Sequence, residues 1–246
     1  MDLFAQNLLR KIDFYDAFKA DEKQAVLALP MHVVQARAGQ DIVREGDRPT
    51  RSCLLIEGVM GAAKFTGEGK RQITSFYVSG DIPDLQSLHL GVMDVTFQTI
   101  TSCTLGYIHH DALLNLCDRY SRLSRSLWRT TLVDAAIYRE WVANVGQREA
   151  SVRMAHLICE MTLRMNAVGL VKENEYDFPI TQAVLGDATG LSVVHVNRTL
   201  QKLRQMKLVE LKNRRLRVLD WVSLADFGDF DPTYLHIPLW ADHLDL

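Results

Sequence analysis

The sequence predicts an α+β fold in which a β-rich N-terminal unit, one long helix and a basic C-terminal unit follow one another. From Met31 to Ile108, short β-branched and aromatic runs alternate with glycine, a texture typical of a β-roll or barrel. From Asp111 to Val145 there is no proline or glycine, and apolar residues recur every three or four positions, which indicates a helix. From Ile180 to Asp220, eight Lys or Arg stand against three acids, so this segment carries a local positive charge.

Length and composition agree with two globular units. The chain has 246 residues, of which 48% are hydrophobic and 24% charged, the balance of proteins that bury real cores. No window reaches the roughly 18 consecutive apolar residues of a membrane helix, so we expect a cytoplasmic protein without a membrane partner. The four cysteines are scattered without a C-x-x-C pair, which favours inert thiols in a reducing compartment.

The N-terminal part is expected to begin with short helices and to continue as the β-roll. Apolar residues before Pro30 recur at helical spacings, and Pro30 ends the run. Within the β-rich part, the sequence Thr66-Gly67-Glu68-Gly69 predicts a hairpin turn. We therefore assign three parts: a β-roll domain at 1–110, the long helix at 111–145, and a C-terminal domain at 146–246.

The long helix carries a narrow stripe that predicts pairing with a second copy of the chain. Such a stripe is typical of a coiled-coil seam, and a polar residue in it, here Asp134, can fix the register. A helix buried within one domain is the alternative. The residues assigned to the homodimer interface are Tyr120, Leu123, Leu127, Thr131, Asp134 and Tyr138.

The C-terminal part contains the most specific signal, a helix-turn-helix. A helix is predicted from Glu149 to Asn166, followed by a polar loop from Gly169 to Asp177. After the loop, Gly186 permits two helices to cross closely, Gly190 permits the tight turn, and Val196 locks the second helix against the first. Ser192 is expected to cap the second helix, and Leu200 and Leu203 continue its inner face.

A helix-turn-helix places its second helix in the major groove of double-stranded DNA. Two strands that turn at Lys212-Asn213-Arg214 are expected to follow as a basic wing, although a solvated helix beside an ordinary hairpin is the alternative. The acidic tail after Asp220 would repel DNA, and its aromatic and leucine residues suggest that it packs on the protein. The residues expected to read bases are Val193, Val194, Asn197 and Arg198. Those expected to contact the DNA backbone are Ser192, His195, Lys202, Lys212, Arg214 and Arg215.

Together with this module, the strings GQDIVREGD, LLIEGVMGAAKF, GKRQITSFYVSGD and SVRMA resemble the cyclic-AMP-receptor and fumarate-nitrate-reductase regulator (Crp/Fnr) family. The resemblance runs from about Val33 to Leu219 and preserves the family's order of motifs. It implies a cyclic-nucleotide-binding-like β-roll (a double-stranded β-helix) as sensor, a dimerisation helix, and a winged helix-turn-helix. It also implies a homodimer on a pseudo-palindromic DNA site, with RNA polymerase as a further partner.

The chain departs from this family at the effector site. Asp84 and Leu85 stand where the resemblance places the family's G-E-L segment, and no Arg occurs between Arg71 and Arg119 to meet a phosphate. Tyr138 and Arg139 replace the two hydroxyl residues that meet adenine. We therefore assign Asp84, Leu85, Tyr138 and Arg139 to an effector pocket, and we expect the effector to differ from cyclic AMP.

Other cofactors can be considered from the side chains that would bind them. The family's iron-sulfur members carry an N-terminal cysteine cluster, whereas the first cysteine here is Cys53, so we expect no such cluster. Haem remains open, because several side chains of the β-roll could serve as axial ligands. These are His32, His89, His109, His110 and Met93.

Three hypotheses for function follow. The first is a DNA-binding regulator controlled by an effector, and the second is a regulator without a small-molecule ligand, controlled by its abundance or by a partner. The third is a metal-dependent β-barrel enzyme, but His109 and His110 are adjacent and would point to opposite faces of a strand. Phosphate-loop and G-x-S-x-G motifs are also absent from the sequence. We therefore expect no enzyme, no catalytic residue and no metal ligand.

Overall fold

A computed structural model describes residues 5–15 and 17–237. The chain forms two compact units by its internal contacts. One comprises residues up to 69 together with 74–135, and the other comprises 70–73 together with the residues from 136 onward. The boundary at 135 lies within the helix that the sequence assigned as one segment at 111–145.

The N-terminal half of the chain is a β-roll preceded by two helices, α1 (Ala5–Tyr15) and α2 (Ala20–Leu27). Two sheets form the roll, in the strand orders β1-β7-β3 and β2-β6-β4-β5. The strands are β1 (His32–Ala36), β2 (Asp41–Val43), β3 (Arg51–Glu57), β4 (Met60–Phe65), β5 (Arg71–Tyr77), β6 (Thr96–Thr99) and β7 (Cys103–His109). This confirms the β-rich texture that the sequence predicts. Gly69 N donates to Thr66 O over 2.8 Å and closes the predicted turn between β4 and β5.

Strand β3 separates two apolar clusters, because successive side chains of a strand point to opposite faces. Leu55 packs inside the roll with residues of the facing sheet such as Phe97. Leu54 and Ile56 pack on the outer side with residues of α1 and α2. The outer cluster also takes in side chains from the helices that follow the roll, among them Leu123.

Two helices follow the roll: α3 (His110–Arg119) and α4 (Ser121–Gln147). The prediction of one unbroken helix from Asp111 to Val145 was therefore wrong at Tyr120, whose φ of −129° and ψ of 89° end α3. The break between the two helices contains neither proline nor glycine, so the sequence does not reveal it. The side chain of Tyr120 packs against the outer cluster of the roll, which is a tertiary contact.

The C-terminal unit consists of helices and one small sheet. Its elements are α5 (Ala150–Ala167), β8 (Glu175–Asp177), α6 (Gln182–Thr189), α7 (Val193–Gln205), β9 (Val209–Lys212), β10 (Arg215–Val218), α8 (Trp221–Phe227) and a 3-10 turn (Pro232–Leu235). The sheet order is β8-β10-β9. Strand β8 corrects the prediction that Gly169–Asp177 is only a polar loop, because Tyr176 is paired with Leu216 and buried.

The segment after α8 packs on its own unit, as the sequence suggests. The Tyr234 hydroxyl donates to Glu160 Oε2 over 2.9 Å, and the ring of Tyr234 stacks on His156. Trp141 Nε1 donates to the same buried carboxylate oxygen over 2.9 Å. The rest of the predicted acidic extension, 238–246, lies outside the described residues. None of the helices in the described ranges is long and apolar enough to cross a membrane.

Candidate nucleic-acid interface

Helices α6 and α7 form the helix-turn-helix that the sequence predicts. Gly190 ends α6 at a φ of +67°, a left-handed conformation that glycine adopts without strain. At Gly186 an added Cβ would lie 2.6 Å from the carbonyl oxygen of Leu191, so only glycine fits at this crossing. Val196 is completely buried between the helices. These three residues have the roles that their spacing predicts.

The N-terminus of α7 presents a row of exposed side chains. Ser192 caps it as predicted, because its hydroxyl accepts from His195 N over 3.3 Å. Val193 and Val194 are 51% and 61% exposed, although apolar side chains are usually buried. Arg198 is exposed on the same helix, and its guanidinium makes no hydrogen bond or ion pair with any residue that the structure describes.

Asn197 and His195 complete this face of α7. Asn197 is half-buried, and its amide makes no hydrogen bond within the described part of the chain. The His195 ring lies 3.2 Å from the Ser192 hydroxyl, so a hydrogen bond orients it beside the cap. Buried Leu200 and Leu203 anchor the opposite face. The helix therefore has one packed face and one exposed face, of valine and polar side chains, that is open to a ligand.

The wing turns at Asn213 and Arg214, between β9 and β10. Their φ values are 52° and 61°, so both residues are left-handed, the conformation of a two-residue type I′ hairpin. Lys212 and Arg214 are exposed at this tip and have no carboxylate partner in the described residues. The predicted basic wing is therefore present, with two free cations at its tip.

One acid of the wing neutralises two of its cations. Arg217 Nη2 lies 2.7 Å from Glu175 Oε2, and Arg215 forms an ion pair with the other oxygen of the same carboxylate. Sequence reasoning missed this role of Glu175 because the residue was assigned to a loop. Its strand β8 places it opposite Arg217 in the sheet. Arg215 is thus less available to a DNA phosphate than Lys212 or Arg214.

Lys202 is also engaged within its own unit. Its ammonium group donates to the Ser151 hydroxyl over 3.0 Å and lies 5.3 Å from the centre of the Phe227 ring. Both contacts direct the side chain toward α5 and α8. A phosphate contact by Lys202 would need these interactions to break, which the sequence pattern does not reveal.

The apolar stripe assigned to the dimer interface needs a correction in its first half. Leu123 is fully buried and Leu127 is 5% exposed, because both pack into the outer cluster of the β-roll in their own chain. Tyr120 lies in the break before α4 and packs against the same cluster. Leu123 and Leu127 are therefore not available to a partner subunit, whereas Tyr120 keeps part of its surface exposed. Thr131, Asp134 and Tyr138 are half-buried.

A different stripe of α4 is exposed, one residue further along. Trp128, Leu132 and Val142 are 65%, 52% and 74% exposed. With Ala135 and Arg139 between them, they follow the alternating steps of four and three residues that define a heptad seam. We name these five residues the α4 seam.

The residues assigned to an effector pocket occupy contrasting environments. Asp84 and Leu85 are buried at a 3-10 turn (Leu85–Leu88), whereas Tyr138 is half-buried and Arg139 exposed on α4. Cys53 N donates to Asp84 Oδ1 over 2.8 Å, but Asp84 Oδ2 has no hydrogen-bond partner among the described residues. Burial raises the pKa of Asp84 to about 7, so the carboxyl group is partly protonated near neutral pH.

The side chains considered as haem ligands are dispersed. Met93 is buried inside the β-roll, while His89 and His109 are exposed. His110 Nε2 lies 3.0 Å from the Ser87 hydroxyl, and desolvation lowers the pKa of this imidazole. No group of three or more His, Cys, Asp or Glu that could hold a metal ion occurs among the described residues.

Comparison with known proteins gives matches to both halves of the chain. Residues 33–120 match a cyclic nucleotide-binding domain, and residues 152–227 match a Crp-like helix-turn-helix domain. The transcriptional activator protein FnrA of Stutzerimonas stutzeri is 23% identical over 189 residues, which cover 77% of each chain. The transcriptional activator protein FnrL of Cereibacter sphaeroides is 22% identical over 209 residues, which cover 83% of this chain and 84% of the relative.

Solved structures show the same fold. The structure of FixK2 from Bradyrhizobium japonicum aligns with a TM-score of 0.73 at 20% identity. The alignment covers 81% of this chain and 98% of that structure. This similarity shows a shared fold.

Proposed function

The chain belongs to the Crp/Fnr family of transcription regulators, and we propose that it acts as a homodimer on a pseudo-palindromic DNA site, under the control of an effector other than cyclic AMP. Because the chain contains a helix-turn-helix of this family, its binding partner is DNA. The observation that carries the proposal is the exposed face of α7, where Arg198 has no partner within the described residues and two valines lie open beside it.

This face of α7 supports a specific mode of reading DNA. A guanidinium that is free of partners can donate two parallel hydrogen bonds to O6 and N7 of guanine, a contact worth about 1–3 kcal/mol of discrimination. The methyl groups of Val193 and Val194 can contact thymine, and Asn197 can pair with adenine. Ser192 and His195 at the helix start, with Lys212 and Arg214 on the wing, would contact phosphates, and the exposure of these four side chains supports this assignment.

The experiment compares base preferences of the wild type and Arg198→Ala over all single-base variants of a selected site. We expect the variant to lose its preference for one guanine, with a loss of about 1–3 kcal/mol at that position alone. Arg204→Ala is the matched control, because Arg204 is also an exposed arginine of α7 but donates to the Leu200 carbonyl group. If Arg198→Ala weakens every sequence equally, Arg198 contacts only phosphate and the proposed readout is wrong.

The proposed dimer forms through the α4 seam. A 27-residue helix is about 40 Å long, enough to hold two subunits side by side. Its exposed tryptophan, leucine and valine would leave water on pairing with a second copy, which supplies the apolar driving force. Such a dimer would present its two copies of α7, the helices proposed to read DNA, about 34 Å apart, which is one turn of DNA.

The proposed effector is not cyclic AMP. A cyclic phosphate would meet the buried Asp84 and would find no arginine between Arg71 and Arg119. We expect calorimetry with cyclic AMP and the purified protein to show no binding at micromolar concentration, and micromolar affinity would contradict this. A regulator without any small-molecule ligand is the second candidate, favoured by the same lost phosphate site. We propose neither an iron-sulfur cluster nor a bound metal, and haem is an open alternative. The proposed location is the cytoplasm, where RNA polymerase is the proposed protein partner.

A further inference from the structure

A cavity of about 480 Å³ lies at one end of the β-roll, between the segment that joins β2 to β3 and the end of β7. Its volume is in the range of sites that hold small molecules. The polar side chains that line it include Arg48, Arg51, Tyr107 and His109. Asp84 and Leu85, assigned above to an effector pocket, do not line it. The cavity is therefore a separate feature of the first unit.

In the described part of the chain, the two arginines of this cavity form no direct ion pair, although the buried carboxyl group of Asp84 interacts electrostatically with Arg51. Arg51 lies over the ring of Tyr107, with its central carbon 3.9 Å from the ring centre, and Arg48 makes one long hydrogen bond of 3.4 Å to the Gly91 carbonyl oxygen. A guanidinium held against an aromatic face keeps its N–H edge free and oriented for two oxygens of an anion.

One carboxylate also lines the cavity. Asp47 Oδ2 accepts a hydrogen bond of 2.8 Å from Arg44 N, so this side chain closes the turn after β2. Two arginines against one aspartate leave the lining positive. The remaining lining includes Ile42, Val43 and Pro49, which form an apolar wall beside the charged groups.

We propose that this cavity binds an organic anion that joins a carboxylate or phosphate head group to a small apolar body. The head group would contact the free edge of Arg51 and the side chain of Arg48, where charge-assisted hydrogen bonds are strongest. The apolar body would lie against the wall of Ile42, Val43 and Pro49. The assignment does not depend on DNA binding, because every lining residue belongs to the β-roll.

The experiment is calorimetry of the full-length protein with benzoate, phenyl phosphate and benzyl alcohol, which share a ring and differ in the head group. We expect at least one anion to bind once per chain with a dissociation constant of about 1 mM or tighter, while benzyl alcohol binds at least about tenfold more weakly. The two anions distinguish a carboxylate site from a phosphate site. Equal binding of benzyl alcohol, or no binding of either anion, overturns the proposal.

Two variants and a matched control locate the site. Arg51→Gln should weaken anion binding by about tenfold or more, and Arg48→Gln should also weaken it. Arg44→Gln removes the same charge from the same segment, but Arg44 pairs with Asp41 and does not line the cavity, so its binding should equal that of the wild type. Equal losses in Arg44→Gln and Arg51→Gln would mean an effect of overall charge and overturn the assignment. Unchanged melting temperatures exclude misfolding as the cause.

Discussion

The carboxyl group of Asp84 is buried, with one oxygen hydrogen-bonded to the backbone and the other without a partner in the part of the chain that the structure describes. Burial disfavours the charged form and raises the pKa to about 7 in the folded protein, whereas the unfolded chain has an ordinary pKa near 3.8. Between these two values the folded state holds a proton that the unfolded state has lost. The stability of the fold therefore falls as pH rises through this window and levels off above pH 7.

This linkage predicts the behaviour of Asp84→Asn. The asparagine cannot ionise, so the variant should gain stability relative to the wild type as pH rises, by on the order of 2 kcal/mol between about pH 5 and about pH 8. Denaturant unfolding at a series of pH values measures the difference. Asp94→Asn is the control, because Asp94 is exposed on the same unit. A constant difference between Asp84→Asn and wild type across this range would show that the group does not titrate in the fold.

At the scale of single residues, features that depend on neighbours in the sequence could be predicted, whereas contacts between residues far apart in the sequence could not. Ser192 as a cap, Gly190 at a left-handed turn and Gly186 at a crossing depend only on neighbours within a few residues, and the structure confirms each. Burial of Leu127 depends on the β-roll, whose outer cluster covers it. No pattern within α4 distinguishes a leucine covered by its own chain from one covered by a partner.

At the scale of elements, the same ambiguity separates the stripe of α4 that the sequence analysis selected from the stripe that is exposed. The sequence contains two adjacent stripes, one through Leu123 and Leu127 and one through Trp128 and Leu132, both at helical spacing. The first is covered by the β-roll and the second is exposed. Strand β8 was missed for a related reason, because only three residues form it and its partner β10 lies far along the chain.

The wing gives a prediction at this scale. Glu175 holds Arg215 and Arg217 in ion pairs, so its carboxylate reduces the positive field of the wing. Glu175→Gln should strengthen binding to DNA of any sequence and steepen its salt dependence by about one or two phosphate contacts. Arg217 becomes available to phosphates, and among the described residues Arg215 retains only its 4.0 Å contact with Asp177. A salt titration of binding to a non-specific duplex measures the slope.

Glu210→Gln is the control for that measurement, because Glu210 also lies in the wing sheet, opposite Arg217, but forms no ion pair in the described residues. If both variants change the slope equally, only net charge matters. If Glu175→Gln leaves the slope unchanged, the two arginines do not reach the DNA.

At the scale of the whole molecule, the net charge of −2 conceals a separation of charge along the chain. The segment from Ile180 to Asp220 has a positive excess, whereas the segment after it carries five Asp and no Lys or Arg. The described part of that acidic segment is tied to α5 through Tyr234 and Glu160. The local positive excess therefore lies in the segment that contains α7 and the wing, which is where we expect DNA to be attracted.

The last prediction joins the α4 seam to this segment. Leu132→Glu places a charge in the proposed seam, where pairing would bury it, so we expect the variant to be monomeric in sedimentation at micromolar concentration. Affinity for a duplex with two half-sites should fall about a hundredfold or more, because the α7 helix of the partner subunit is no longer held close to the second half-site at a high effective concentration. Affinity for a single half-site should change little. Val222→Glu should remain dimeric, because it places the same charge at an apolar residue of α8 that is 77% exposed, against 52% for Leu132. A monomeric wild type, or a dimeric Leu132→Glu variant with full affinity for both half-sites, would show that the exposed stripe of α4 serves another purpose.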